Sequence, residues 1–120
     1  MAEEVGMELI IEANVGVVAF TSASISDVDA IADSSRKIRE FIDENWPGRL
    51  IFDFEAVKFF SSELLGLLLD IRAKLEAHNG EVVISAINPQ LHRVFKITNL
   101  DKVFRFFPDR KSAFKTPNTD

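Results

Sequence analysis

From Val15 onward, short apolar runs alternate with longer stretches whose apolar residues recur every three or four positions. That alternation constrains the fold more than any single motif. Arg49 to Phe54, Glu81 to Ile87 and Val103 to Phe107 are strand-length, rich in β-branched and aromatic residues, and bounded by turn residues. Helical stretches lie between them. Strands joined through helices cannot form tight hairpins with one another, so they pair in parallel through crossover connections, which are right-handed. The expected class is α/β.

The earlier and intervening segments fill in the pattern. Leu9-Ile10-Ile11 and Val15 to Phe20, separated around Asn14, read as two strands, possible partners in a hairpin that makes the sheet mixed. Thr21 to Ser26 reads as a polar loop. Ser26, with Asp29 three residues on, makes a near match to a capping box. Val28, Ile31, Ser35, Ile38 and Ile42 then follow one helical stripe, while Asp33, Lys37, Glu40 and Glu44 fall off it. Asn45-Trp46-Pro47-Gly48 ends that helix. After a connection over Glu55 to Phe60, a second helix runs from about Ser62 to Ala77, stopped by Asn79-Gly80 with Gly80 as a left-handed cap. Asn88-Pro89 opens a third, with the cap residue first and proline at the first helical position. Leu91, Val94, Phe95 and Thr98 form its inner face, and Asn99 is its exit. The order is β-β-α-β-α-β-α-β with a short helical turn after Pro108: one domain over 1–120, with its core at about 7–115 and a frayed tail at 116–120.

Composition narrows the function classes. Hydrophobic residues make up 47% of the 120, enough for a packed interior. The net charge of −5 argues against nucleic acid or an anionic membrane as the main partner, since both need basic surface. With no Cys, disulfides, thiolate nucleophiles and Cys-ligated metals are excluded, and a reducing, cytoplasmic setting fits. The acidic start Met1 to Met7 does not read as a signal peptide, and the leucine-rich run Leu64 to Leu69 is too short to span a bilayer. His78 and His92 lack metal-ligand spacing to each other or to a carboxylate cluster, so no metal or cofactor is expected. Asp27, Asp29 and Asp33 read as a solvated helix face. No phosphate-binding glycine loop and no nucleophile–base–orienter set can be assembled, so enzyme activity is not expected.

The segment that remains is Ser61-Ser62-Glu63-Leu64-Leu65-Gly66, at the junction between a strand end and an apolar helix. Two hydroxyls there read either as helix caps or as a place to add charge. A phosphoryl group would bring about −1.5 to −2 charge beside a hydrophobic surface. A helix N-terminus tolerates such a group, so both readings can hold together. The apolar residues from Leu64 to Ile71 exceed what one core stripe needs, which leaves Leu64 and Leu67 as candidates to face a partner. One of Phe59 and Phe60 is expected in the core and the other near the binding surface.

Asp53 through Gly66, read with Asn79-Gly80-Glu81-Val82-Val83-Ile84, Asn88-Pro89 and Val94 through Phe104, resembles the STAS domain of bacterial anti-sigma factor antagonists. The resemblance covers about Val15 to Phe114. It implies a small mixed sheet with helices packed mainly on one face. The family's signature has an acidic residue at a strand end followed by Asp-Ser-Ser-Gly-Leu-Gly. Placed without a gap on Asp53, Gly66 and Gly80, Ser61 takes the motif's Asp, Ser62 the phosphorylated serine, Glu63 the second Ser and Leu64 the Gly. A slide of one residue would put Ser61 on the phosphosite instead. The resemblance further implies that the unmodified protein binds an anti-sigma factor that is a serine-protein kinase. Phosphorylation then ends that binding, and a phosphatase resets it. The partner surface so implied comprises Asp53, Phe60, Ser61, Ser62, Glu63, Leu64 and Leu67. The alternatives are a STAS scaffold that binds a regulator without phosphorylation or sigma-factor control, and a small ligand-binding or enzyme domain using a cleft near Asp53 and Ser62.

Overall fold

Met7–Glu12 (β1) and Val15–Phe20 (β2) pair antiparallel across a tight turn in which Ala13 takes a left-handed φ of 55°. The computed structural model describes residues 4–115; the expected tail at 116–120 lies outside the described residues. The helix Val28–Asn45 (α1) carries the chain from β2 to the parallel strand Arg49–Asp53 (β4). Ser62–Glu76 (α2) leads to Glu81–Ser85 (β6), and Pro89–Ile97 (α3) with a 3₁₀ turn at Leu100–Lys102 leads to Arg105–Phe107 (β7). The five strands lie in the order β1-β2-β4-β6-β7, all parallel except β1, so the sheet is mixed α/β as expected. Two-residue strands at Ser24–Ile25 (β3) and Phe59–Phe60 (β5) pair in a separate parallel ribbon, and Arg110–Phe114 (α4) follows β7.

Pleat alternation divides the sheet into two faces. Val18, Phe20, Leu50, Phe52, Val82 and Ile84 face α1, α2 and α3, where Ile38, Ile42, Leu68, Ile71, Leu75, Leu91 and Phe95 complete the main core. Val17, Ala19, Ile51 and Val83 face the other way and are met by Ala113 of α4. Three helices therefore cover one face and the short α4 the other. Gly16 belongs to the main layer: a Cβ there would stand 3.0 Å from both Leu50 and the Phe41 ring.

Several boundaries differ from the sequence reading. The cap of α1 is Asp27, not Ser26; its carboxylate accepts from the Ala30 N–H at 3.0 Å. The stripe shifts with it: Val28 is exposed, while Ser34 is buried with its hydroxyl donating to the Ala30 carbonyl. After α2 the left-handed residue is Asn79, φ 66°, and not Gly80. Gly80 is needed for close approach instead, since a Cβ would meet the Pro47 carbonyl at 3.2 Å. β6 stops at Ser85 because Ala86 turns to φ 58°. β7 begins at Arg105 and not Val103, because the Val103 and Phe104 N–H groups both donate to the Leu100 carbonyl and keep the chain coiled.

The many phenylalanines form a connected set at the carboxyl ends of the strands. Phe20 packs on Phe52 and Phe54, Phe54 on Phe60, and Phe60 on Phe95, with centroids 5.4–6.0 Å apart. Phe95 also meets Phe104 at 6.1 Å and Phe106 at 5.3 Å, edge to face in both cases. Arg49 was not singled out by the sequence reading. It is buried in β4, donating from Nε to Glu81 at 2.9 Å and from Nη1 to the Ala113 carbonyl at 2.8 Å, and so ties α4 to the sheet.

Candidate functional site

The junction that carries the two serines is built from β4 outward. Asp53, the last residue of β4, is buried. One carboxylate oxygen accepts from the Glu55 N–H at 3.0 Å and the other from Arg110 Nε at 2.9 Å. It thus starts the turn after the strand and anchors α4, an anchoring role with the side chain held inside. Phe54 and Val57 are also buried, so the loop is pinned from below. From the side it is pinned by the loop before α1. The Lys58 and Phe59 N–H groups donate to the Ala23 carbonyl at 2.7 and 3.1 Å, and the Ser61 N–H donates to the Ile25 carbonyl at 2.9 Å. A two-residue strand is too short for alternation to show, so the sequence read Thr21 to Ser26 and Glu55 to Phe60 as plain connections.

The two hydroxyls end in different places. Ser61 is extended, φ −90° and ψ 169°, at the N-cap position of α2, yet its side chain makes no cap bond. Its Oγ is buried and without a partner. Ser62 begins the helix and is exposed, as is Glu63 beside it. Replacing Ser61 with alanine should therefore change stability by less than about 0.5 kcal/mol, against the ~1 kcal/mol lost with a working cap. Urea unfolding of the variant checks this, and a loss above ~1 kcal/mol would show that the hydroxyl caps the helix in solution.

Four residues expected on the partner surface need correction. Asp53, Phe60, Leu64 and Leu67 are 3%, 7%, 1% and 4% exposed; Asp53 is held inward by its bonds to Glu55 and Arg110, and the other three belong to the main core. The physical reason is that α2 packs on the sheet with one side and on α1 with another, and so buries more than one stripe. The ring that faces solvent is Phe59, 54% exposed, and the exposed leucine of α2 is Leu69. Gly66 has no packing reason to be glycine, because a Cβ there would meet nothing within 4 Å. It lies on an open groove of about 480 Å³ between the two helices, whose lining includes Val28, Ala32, Glu63 and Asp70.

A smaller pocket of about 190 Å³ opens at Asp53, lined also by Glu8, Thr21, Glu55 and Arg110. Neither serine is among its lining residues, so the structure does not bring Asp53 and Ser62 together in one cleft. His78 packs at a tilt of 38° against Trp46, centroids 3.9 Å apart, and His92 packs edge-on against Phe106 at 4.5 Å. Asp33 is held below the usual carboxylate range by hydrogen bonds from Arg36 and then Lys37, an exposed ion-paired cluster on α1. No group of His, Asp and Glu among the described residues is arranged to hold a metal ion, and no helix there is long and apolar enough to cross a membrane.

The sheet order, the one-sided helix layer and a junction serine at the start of α2 can be set against known proteins. The family model described as STAS domain matches residues 8–113. The chain belongs to the STAS domain family. An anti-sigma factor antagonist from Mycobacterium paratuberculosis is 26% identical to this STAS domain, with a TM-score of 0.78 over 92% of each chain. The anti-sigma factor antagonist SpoIIAA in its unphosphorylated form is 22% identical, with a TM-score of 0.79 over 91% of this chain and 93% of its own. The phosphorylated form of the Bacillus protein superposes with a TM-score of 0.71, at 22% identity, over 91% of this chain and 96% of its own. A sulfate transporter family protein from Wolinella succinogenes shares the fold at 14% identity, with a TM-score of 0.71 over 87% of this chain and 84% of its own. The same fold is thus found in antagonists and in a transporter-family protein.

Proposed function

We propose that this STAS domain is an anti-sigma factor antagonist of the partner-switching kind, acting in the cytoplasm as a binding protein and not an enzyme, with Ser62 as its phosphoryl acceptor. The observation that carries the reading is the separation of the two hydroxyls: Ser62 is on the surface and the Ser61 Oγ is buried. A kinase must bring its phosphoryl donor within bonding distance of an oxygen, and of the two serines only Ser62 offers one without unfolding the junction. The unmodified face around Ser62 includes the exposed Phe59 ring, the Glu63 carboxylate and the groove that starts beside Glu63. A kinase-type anti-sigma factor fitted to a neutral hydroxyl there would have to desolvate or repel a dianion after phosphorylation. A phosphatase restores the hydroxyl. Leu64, which stands where the family has Gly, adds no bulk to this face because it is buried.

A second reading, a scaffold that binds its regulator without phosphorylation, is favoured by Glu63. Its exposed carboxylate already sits in the first turn of α2, next to where the phosphate would go, and like charges there disfavour the modified state.

Incubation with ATP and a kinase-type anti-sigma factor from the same genome, followed by mass spectrometry, separates the two. Incorporation should be lost in Ser62→Ala and kept in Ser61→Ala. Incorporation that persists in Ser62→Ala would overturn the assignment, and none in the wild-type protein would favour the scaffold.

A further inference from the structure

Charge is segregated along the chain. Positions 1–92 hold 7 Lys or Arg and 16 Asp or Glu, while 93–120 hold 7 and 3, so −9 and +4 underlie the net −5. The topology carries this segregation to opposite edges of the sheet. β1 bears Glu8 and Glu12 and no cation, whereas β7 bears Arg105, and α3, which packs on β7 through His92 and Phe95, carries the exposed Arg93 and Lys96; Arg110 alone of the later cations lines the pocket at Glu8. Among the described residues up to position 92, every Lys or Arg except Lys58 has an acidic partner within 4.0 Å. Beyond it, only Arg105 and Arg110 do.

β1 and β7 are also the two outer strands, and no other strand of the described residues pairs with the free side of either. Charged side chains normally keep sheet edges from pairing with other chains. That protection depends on like charges meeting. Here one edge is negative and the other positive, so edge-to-edge contact between the two is attractive.

Strand direction and register allow the contact. β7 runs parallel to β2 through β4 and β6, and β1 runs against β2, so β1 of a second copy laid on β7 is antiparallel to it. The two sheets then continue in the same sense with like faces aligned. Arg105 pairs with Val83, and Ile10 pairs with Val17; Val83 and Val17 both lie on the α4 face. One register sets Arg105 opposite Glu12, Phe106 opposite Ile11 and Phe107 opposite Ile10. Charge meets opposite charge and apolar meets apolar on both faces. Ile11, 41% exposed, falls beside the half-buried Phe106, which lines a pocket of about 290 Å³ with Ile87, Pro89 and His92.

We propose that the chain associates head-to-tail with a second copy, β1 of one molecule adding antiparallel to β7 of the next in that register. The contact is heterologous, so it propagates into short chains unless the geometry closes a ring. A three-residue ladder makes a small interface of the weak, transient class. It involves neither Ser62 nor α2, so it stands or falls apart from the switch.

Sedimentation velocity of the full chain from about 10 μM to about 1 mM tests it. At roughly 20 mM salt the weight-average coefficient should rise with concentration, and association should weaken at least about tenfold by roughly 0.5 M salt. Glu12→Arg and Arg105→Glu should each abolish association. An equimolar mixture should restore it, because the first retains an intact β7 and the second an intact β1. Arg105 also lies 3.6 Å from Glu81, so Ile11→Lys, at an exposed position, is the check that leaves β7 untouched, and it too should stay monomeric. Undiminished assembly of Glu12→Arg and Ile11→Lys would overturn the proposal. So would a wild-type protein that is monomeric throughout, whether or not it binds phosphatidylserine vesicles through Arg93 and Lys96.

Discussion

Phe95→Ala should destabilise the protein by about 3–5 kcal/mol, a large share of the ~5–15 kcal/mol that holds a domain of this size together. The ring is fully buried, and it meets Phe60, Phe104 and Phe106 edge to face. Removing it costs the transfer energy of the ring, leaves a cavity, and deletes three aromatic contacts worth about 0.5–1.5 kcal/mol each beyond their area. The cavity would lie between α3, the 3₁₀ turn and the short β7, where three residues of ladder offer little to resist rearrangement. Thermal unfolding should show a midpoint lower by at least roughly 10 °C. Ile97→Ala, two residues along α3 but 74% exposed, should stay within about 0.5 kcal/mol. Equal effects of the two changes would mean that α3 is not seated on the phenylalanine set.

Ser62→Asp should lower affinity for a kinase-type anti-sigma factor by about a hundredfold, close to 3 kcal/mol, while leaving the fold intact. Both halves of that expectation come from position. The side chain is exposed in the first turn of α2, where a negative charge interacts favourably with the helix dipole, so folding has nothing to lose. A partner surface that encloses a neutral hydroxyl must accommodate a carboxylate in the same volume, next to Glu63, at the cost of desolvating it. Isothermal titration calorimetry measures the affinity and a melting curve the stability. Unchanged affinity would favour the scaffold reading. A matching drop in melting temperature would show that the loss came from unfolding and not from the interface.

Much of the architecture was legible because periodicity records burial. The Ile31, Ile38 and Ile42 part of the α1 stripe, the apolar centre of β4 at Leu50 to Phe52 and the cap-then-proline start of α3 each reflect which side of an element is dry, and each appears where the sequence placed it. The misplacements are local. Ser26 and Asp27 are adjacent capping residues, and which one caps depends on where the preceding loop is tethered. Asn79 and Gly80 can both adopt a left-handed turn, and the choice fell to Asn79 because Gly80 was needed beside Pro47. The ribbon of β3 and β5 lay beyond reach, since two residues carry no period and their pairing depends on segments 35 positions apart in Ser24 and Phe59.

What the sequence by itself determined is the order of the main elements, the parallel sheet with its antiparallel first strand, and the address of the paired serines between β4 and α2. Each follows from short-range chemistry: alternation, capping and turn preference. Only the tertiary structure decided which side chains of that region face outward. Spacing made Phe59 and Phe60 equivalent, and it set Ser62 on the family's phosphorylated serine with Ser61 one slide away. Packing separated them. The parallel ribbon holds the loop so that Phe60 and the Ser61 hydroxyl turn inward and Phe59 and Ser62 turn out. Exposure at one position is set by neighbours from distant parts of the chain, here Ala23 and Ile25, and no local pattern carries that information.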